Sequence, residues 1–357
     1  MTAKLDKLDM LRGAAAVYVF LYHSLPKDIA IHHCFRFAQE AVIAFFLLSG
    51  FVIHYSSIRA QAQPRPFHCR RFLVRRFVRI YPIFIVSLLV AYVIRTYNPD
   101  WPPDTRVSQL LGNLCMLQDV ALLRPNTWVN PYCGNLPLWS LSYEWWFYVL
   151  YMVMMRFSHA SSRFKISAVL SLTGCVTYVV FPFQGNRFLM YFALWWAGAE
   201  IAELYTAGES CSSARFRRTA VLLTTMLAVL IVNCLWRVRF GHTPFFLGRY
   251  PFLEVRHFAA ALLLLLLGAV WARHCFRGFR RLFSAFAAIA PFSYALYVFH
   301  YPIVTYPDFT WLPNPFLNQA FLMLAAVLLA VAVEVPYQRY LAPRLTRWLT
   351  RGLTGLF

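Results

Sequence analysis

Residues 257–272 read HFAAALLLLLLGAVWA and form the clearest candidate for a membrane-spanning helix in the chain. The run Leu262 to Leu267 carries no charge, and a spanning helix needs about 20 mainly apolar residues. Comparable segments recur from end to end. With this one, the predicted spans are approximately residues 10–25, 39–58, 80–95, 136–155, 166–182, 188–205, 219–236, 257–272, 286–304 and 316–334. The pattern predicts an all-α, polytopic transmembrane bundle of about ten helices.

The composition of the 357 residues agrees with a chain surrounded by lipid. Hydrophobic residues make up 60% of the sequence and charged residues 13%, whereas a soluble domain carries about 25% charged residues. Such a composition excludes a disordered chain, and 8 cysteines are too dilute for a small disulfide scaffold. A soluble enzyme with a single anchor is also disfavoured, because apolar segments occupy the whole length.

The net charge of +20 first suggests a nucleic-acid partner, but the arginines lie in short clusters between apolar segments. If the N-terminus is cytoplasmic and the chain crosses the membrane ten times, 24 of the 34 basic residues lie on the cytoplasmic side. Cytoplasmic loops carry such an excess. We therefore expect both termini inside, a multi-pass protein of the plasma (bacterial inner) membrane, contact with membrane lipid and no nucleic acid.

We expect one transmembrane domain over residues 1–340 and a basic cytoplasmic tail over residues 341–357. The largest outer loop, about residues 96–135, is rich in Trp and Pro, as interfacial loops are. It holds Cys115 and Cys133, which either pair in an oxidising periplasm or remain free thiols. No metal site is predicted.

Ionisable groups inside the membrane normally face the interior of a bundle and mark function. His23 lies roughly 19 Å from the inner face and Glu144 roughly 12 Å below the outer face of a hydrocarbon core about 30 Å thick, so their predicted depths are similar. We therefore consider His23 a general base for an incoming hydroxyl, with Glu144 orienting either His23 or the acceptor. The alternative is a histidine that merely joins two helices.

Five arginines cluster where the third predicted span begins: Arg70, Arg71, Arg75, Arg76 and Arg79. Arg76 and Arg79 are three residues apart, so they are neighbours on one helix face. Arginine binds phosphate oxygens through paired hydrogen bonds, which suits a cytosolic polyphosphate ligand. Charge alone supports equally well an anchor for anionic lipid headgroups.

Three further features have structural explanations at least as simple as functional ones. Residues 45–51, FFLLSGF, include Ser49 and Gly50, and small residues allow close helix packing. Ser293, Tyr297 and His300 form one helical stripe, which either lines a polar cavity or joins helices. For Glu200 and Glu334, solvation at a helix end is the simpler account.

The order of several motifs resembles the acyltransferase 3 family of integral membrane acyltransferases. The matching blocks are LDMLRGAA at 8–15 followed by His23, FFLLSGF at 45–51, Arg76 and Arg79 before Ile-Tyr-Pro, LWSLSYEWWFY at 138–148, SYALYVFHYP at 293–302 and EVPYQR at 334–339. Each block is weak alone, but six in the family's order over residues 8–339 are specific.

The resemblance implies a ten-helix O-acyltransferase that moves an acyl group, most often acetyl, from cytosolic acyl-CoA to a hydroxyl. The expected acceptor is a surface carbohydrate or glycolipid, so O-acetylation in polysaccharide modification is the expected role. His23 and Glu144 are then catalytic, while Arg76 and Arg79 contact the CoA phosphates and Arg12 the CoA moiety or thioester. Acyl-CoA is expected as a co-substrate and not as a permanently bound cofactor.

The same resemblance assigns Ser49, Gly50, Trp139, Ser142, Tyr297 and His300 to the substrate channel or its support. Some family members carry an additional extracytoplasmic domain. We expect none in this protein, and therefore expect either a self-contained enzyme or one with a separate extracytoplasmic partner protein. The sequence leaves the acyl group, the acceptor and a transient acyl-histidine open. A proton-coupled transporter or flippase is the competing class, although no repeat typical of transporters is found.

Overall fold

The computed structural model describes residues 6–61, 67–98, 100, 102–241, 244–307 and 314–351. Over these ranges the chain is helical, with single-turn helices and one isolated β-bridge between Gln118 and Val129 in the connections. The α-helices are α1 Asp6–Ser24, α2 Ala38–Gln61, α3 Cys69–Thr96, α4 Val107–Leu114, α5 Trp139–Phe157, α6 Arg163–Val180, α7 Gln184–Ala207, α8 Ala214–Phe240, α9 Phe252–Arg273, α10 Phe279–Phe283, α11 Ser293–Thr305, α12 Pro315–Pro336 and α13 Ala342–Arg351. The predicted all-α class is confirmed.

Six helices in the described part of the chain are long and apolar enough to cross a bilayer, and they comprise α2, α3, α6, α8, α9 and α12. The bent pair Phe279–Ala288 and Ala290–Thr305, which includes α11, makes a seventh if it counts as one span. The protein is therefore a multi-pass membrane protein. Ten crossings and the inside position of both termini stay predictions.

Helix α7 lies in the interior of the bundle, which explains why it is less apolar than a lipid-facing span. Most of its side chains are buried, and it packs mainly on α2 and α6. Two glycines set its distance from α2. A Cβ on Gly50 would lie 1.9 Å from the carbonyl oxygen of Trp195, and one on Gly198 would lie 2.0 Å from that of Leu47. Only glycine allows so close an approach of two backbones.

Contacts at both ends show that α3 and α11 run in the same direction. The Tyr294 hydroxyl donates to the Ile80 carbonyl oxygen at 2.9 Å, and further along the Asn98 amide donates to that of Tyr306. By the same reasoning α1 runs with α11, and α5 runs the opposite way. Helices α2 and α7 run with α5, as the pairs Phe46 with Trp139, Tyr143 with Tyr191 and Tyr151 with Trp196 show. The other supporting pairs are Gly13 with Phe286, His23 with His300, Tyr81 with Trp145, Phe72 with Tyr151, and Tyr151 with His54. We call the end where α1, α3 and α11 begin the basic end.

The segment 115–138, most of which belongs to the predicted interfacial loop of about residues 96–135, enters the bundle and is mainly buried over 116–120 and 131–138. Several of its carbonyl oxygens accept hydrogen bonds from side chains of neighbouring helices, which satisfies backbone groups that burial removes from water. For example, the Trp146 indole donates to the Met116 carbonyl oxygen at 3.0 Å. Cys115 and Cys133 are both free thiols, so the alternative without a disulfide is the one observed.

A buried cluster of four charges holds this segment to α7 and α9. Asp119 is 2.8 Å from Arg124 and 3.2 Å from Arg187, and Arg124 is 3.4 Å from Glu254. All four side chains are fully buried, and their formal charges cancel. Burial by itself would raise the pKa of Asp119, but the two guanidinium groups outweigh it and hold that pKa below its usual value.

The predicted basic tail begins as α13, which packs on α3. Arg70 donates to the Leu349 carbonyl oxygen at 2.8 Å, close to the C-terminal end of α13, where a cation is favourable. Residues 352–357 of the predicted tail lie outside the described residues. Two other free thiols, Cys34 after α1 and Cys275 after α9, are exposed at opposite ends of the bundle.

Gly198→Ala tests the close contact of α2 with α7. We expect a loss of about 1–3 kcal/mol in unfolding free energy, because the added methyl group overlaps backbone atoms that cannot move independently. Gly268→Ala in α9 is the matched control, since no heavy atom lies within 4 Å of its added Cβ. Thermal unfolding in detergent measures both, and equal melting temperatures would contradict the packing argument.

Asp119→Asn tests the buried charge cluster. It leaves two buried guanidinium groups without this carboxylate, and removing one member of a buried ion pair costs about 3–5 kcal/mol. Asp104→Asn is the control, because the Asp104 pair with Arg106 is largely exposed and we expect less than about 1 kcal/mol there.

The lowered pKa of Asp119 also predicts a direction for the pH dependence. Its contribution is fully present above the unfolded carboxyl pKa of about 3.9 and is lost on acidification through the folded value. The stability difference between wild type and Asp119→Asn should therefore be flat from about pH 5 to 8 and shrink below about pH 4. A difference that grows on acidification would refute the assignment.

Candidate active site

A cavity of about 190 Å³ lies between α1, α2, α3, α5 and α11. Its charged lining, Arg12, Arg76, Arg79 and Glu144, is contributed by three helices and lies towards the basic end. Its apolar wall follows α2 from Val42 to Ile53, which is about 16 Å of helix. The cavity is therefore long and narrow, with cations towards one end and aromatic side chains at the other.

Arg79 is held by a buried carboxylate on α12. Its guanidinium lies 2.8 Å from the Glu334 carboxylate, which also accepts a hydrogen bond from the Ala295 amide at 2.6 Å. Glu334 is completely buried, so solvation at a helix end is the wrong explanation for it. The pair fixes α3, α11 and α12 against one another.

Glu200 is a second correction of the same kind. It is buried, accepts from the Trp196 indole at 3.0 Å and pairs with Arg218 at 2.7 Å. Its role is to join α7 to the start of α8, away from the cavity.

Arg76 differs from the other two cavity arginines. Arg12 has Asp9 at 3.4 Å and Arg79 has Glu334, whereas no carboxylate among the described residues lies within ion-pairing distance of Arg76. Its guanidinium contacts the rings of Phe72 and Tyr148, and its buried Nε has no hydrogen-bond partner in the described part of the chain. A half-buried cation without a counter-charge, and with a buried N–H that has no acceptor, suits an anionic ligand.

Glu144 is positioned by α2 and by its own helix. The Ser49 hydroxyl donates to it at 2.9 Å, the Tyr148 hydroxyl donates to the same oxygen, and the Trp195 indole donates to Ser49 at 3.2 Å. Ser49 lines the cavity, and its assignment to a substrate channel stays a prediction. Gly50, next to it, serves the packing of α2 on α7 described above.

His23 lies outside the cavity, beyond its aromatic end. Its ring packs on His300 at 5.3 Å between centroids, Tyr301 at 5.0 Å and Tyr22 at 4.8 Å, and it makes no hydrogen bond to any described residue. The structure therefore does not bring His23 into contact with Glu144. The sequence indicates how deep a residue of a spanning helix lies in the membrane, but not which neighbouring helix its side chain faces. His23 faces α11, whereas Glu144 faces α2.

Tyr297 connects the two regions. It lines the cavity, with its ring 6.0 Å from Phe45 and 6.1 Å from His300. Its hydroxyl donates to the Pro137 carbonyl oxygen at 2.9 Å and lies 2.8 Å from the Ser140 hydroxyl. Tyr297 therefore stands between the charged cavity and the histidine pair His23 and His300.

Trp139 and Ser142 do not line the cavity but support the beginning of α5. The Arg124 guanidinium lies 4.3 Å from the Trp139 ring centroid, and the His257 ring is stacked on Trp139 at 5.9 Å. The Ser142 hydroxyl lies 2.7 Å from the carbonyl oxygens of Trp139 and Gln118. Both residues tie α5 to the buried segment 115–138.

Sequence reasoning missed the buried charges Asp119, Arg124, Arg187 and Glu254. Arg187 lies directly before the predicted span 188–205, and this position was the available signal that it is buried. Asp119 and Arg124 lie inside the predicted loop 96–135, where the sequence carries no such signal. The role of Tyr148 was missed as well, although it lies four residues after Glu144 on the same helix face. The described residues contain no group of three or more His, Cys, Asp or Glu side chains placed to hold a metal ion.

Comparison with known proteins bears directly on this site. A family model for the acyltransferase 3 family, described as an acyltransferase domain, matches residues 5–335. The chain is also similar to Acyltransferase MdmB of Streptomyces mycarofaciens, with 24% identity over 329 residues, 85% of this chain and 80% of the relative. No solved structure matches significantly. Because the family model covers nearly the whole chain, including every motif residue discussed above except the last few, the protein belongs to the acyltransferase 3 family and is a membrane acyltransferase.

Proposed function

We propose that the enzyme transfers an acyl group, acetyl in the simplest case, from cytosolic acyl-CoA to a hydroxyl of an extracytoplasmic or lipid-linked carbohydrate. The observation that carries the proposal is the cavity itself: an arginine without a counter-charge lies towards the basic end, and a histidine pair lies beyond the other. A ligand that carries several phosphates on a long, thin arm fits this arrangement. CoA thioesters have this form.

The donor enters from the basic end. Since 24 of the 34 basic residues belong to the segments that the positive-inside rule places in the cytosol, this end faces the supply of acyl-CoA. The cavity of about 190 Å³ is too small for the whole donor, so the nucleotide stays at its mouth and the thioester arm extends inward. Arg76 binds the phosphates most directly, because Arg12 and Arg79 already have carboxylate partners.

Glu144 acts on the donor side in this scheme. It holds the Ser49 and Tyr148 hydroxyls by accepting their hydrogen bonds, and all three side chains line the cavity. The cluster therefore orients the arm of the donor that carries the thioester. This is a different role from the pairing with His23 that similar depth suggested.

The chemical step takes place where the thioester carbonyl passes Tyr297 and meets His23. His23 accepts the proton of the acceptor hydroxyl as the oxygen bonds to the acyl carbon. The carbon–sulfur bond then breaks, and the departing CoA thiolate takes the proton back from His23. No net proton is consumed, and the products are an ester and free CoA. The acceptor approaches from the end opposite to the basic one, which places it on the outer side of the plasma membrane.

His23→Ala tests the catalytic role. We expect acyl transfer to fall by about 10²–10⁴-fold, the usual contribution of a general base, with protein level and membrane insertion unchanged. His33→Ala is the matched control, because His33 is nearby but exposed and outside the cavity. Mass spectrometry of surface glycans from cells that express each variant reports the acyl group and the acceptor together. Acylation retained in His23→Ala would remove this residue from the mechanism.

Arg76→Ala tests the donor site. Loss of charge-assisted hydrogen bonds worth about 1.5–3 kcal/mol should weaken acyl-CoA binding about 10- to 150-fold. Arg70→Ala is the control from the same cluster, since Arg70 is engaged with α13 and does not line the cavity. Calorimetry in detergent or nanodiscs measures the two dissociation constants. Equal weakening in both variants would indicate a diffuse charge effect instead of a phosphate site.

A further inference from the structure

His300 has a defined tautomer. It lies on α11 one turn beyond Tyr297, is 1% exposed, and its Nδ1 is 3.0 Å from the Leu296 carbonyl oxygen. A carbonyl oxygen can only accept a hydrogen bond, so Nδ1 must carry the hydrogen. In a neutral ring Nε2 then has a free lone pair and can only accept.

The acceptor at Nε2 of His300 is buried and has no hydrogen-bond partner among the described residues. Buried acceptors in native proteins nearly always have a donor, and one without a donor requires an explanation. The rings that surround His300 are Phe20 at 6.0 Å, Tyr297 at 6.1 Å, Tyr301 at 6.5 Å and His23 at 5.3 Å. Phe20 has no donor, and the Tyr297 hydroxyl is already engaged with Pro137.

His23 is the nearest of the remaining donors. Each imidazole nitrogen lies about 1 Å from its ring centroid and an N–H···N bond spans about 3 Å, so two histidines joined edge to edge have centroids about 5 Å apart. The observed 5.3 Å, with the two ring planes 39° apart, brings the rings close enough for such a bond. In the orientations observed the rings pack face to face at a tilt and Nε2 of His300 has no partner, so the bond forms on rotation of the His23 ring. His23 itself has no hydrogen-bond partner among the described residues, so both rings have an unused nitrogen.

We propose that His300 is the positioning residue for His23: one N–H of His23 donates to Nε2 of His300, which leaves the other nitrogen of His23 unprotonated and turned to the acceptor hydroxyl. The inference rests on the proposed acyl transfer. In this proposal a neutral histidine on α11 orients His23, a role that the sequence analysis considered for Glu144. During the reaction His300 keeps its own hydrogen on Nδ1, and the transferred proton moves only between the hydroxyl, His23 and the leaving thiolate.

The kinetic test compares His300→Phe with His300→Gln. Phenylalanine preserves the ring volume but removes both nitrogens, so kcat should fall at least tenfold while KM for donor and acceptor stays within twofold. Glutamine can donate to the Leu296 carbonyl oxygen and accept from His23, so it should recover most of the lost kcat. A loss confined to KM, or a Gln variant no better than Phe at equal melting temperature, would overturn the proposal.

A spectroscopic test does not depend on acyl transfer at all. Nitrogen-15 NMR of histidine-labelled protein in nanodiscs distinguishes the two tautomers, and difference spectra of His23→Phe and His300→Phe assign the two signals. We expect His300 protonated at Nδ1, with its Nε2 signal shifted in His23→Phe but unchanged in Tyr301→Phe. Protonation at Nε2, or a shift in Tyr301→Phe and not in His23→Phe, would refute the pairing. If the spectra agree with the proposal but the wild type transfers no acyl group, the proposed function fails and the pairing stands.

Discussion

A charge buried in this bundle needs a counter-charge, and the geometry of the site follows from how that need is met. Asp119, Arg124, Arg187 and Glu254 neutralise one another at the end where α5, α7 and α9 begin. Because Arg124 also contacts Trp139, this cluster fixes the beginning of the helix that carries Glu144. Nearer the basic end, the pair Arg79 and Glu334 fixes α3 against α12. Among the three cavity arginines, Arg76 alone has no carboxylate partner among the described residues, and Glu144 is likewise held by hydroxyls and not by a cation.

The site divides into two chemically different regions. The cavity is polar and cationic near the basic end, with Glu144 and two hydroxyls in its wall. The region around His23 and His300 is aromatic and nearly free of hydrogen bonds. Tyr297 stands between them. In the proposed reaction, such a separation would allow a donor and an acceptor from opposite faces of the membrane to meet at one point without opening a continuous aqueous path.

The sequence predicted the all-α fold and indicated several of the side chains that line the cavity. It did not predict which other side chains they contact. Apolar segments reveal helices because lipid leaves the backbone few alternatives. The family resemblance assigned Ser49 to the substrate channel and Arg76 and Arg79 to the donor phosphates, and all three side chains line the cavity. Partners depend on which faces meet, and that is decided by contacts such as Gly198 with Leu47, which no single segment contains. For this reason His23 faces His300 and not Glu144, and Glu334 is buried although it lies near a helix end.

The free thiols at the two ends of the bundle allow its orientation in the membrane to be measured by chemical labelling. Cys34 follows α1 and Cys275 follows α9, and both are exposed. The chain therefore carries an exposed thiol near each end of the bundle, and a maleimide that cannot cross membranes would modify one of them in intact cells and the other after lysis. Peptide mapping separates these two thiols from Cys115, which is exposed as well. The arrangement across the membrane can thus be established on the unmodified protein, before a single residue is replaced.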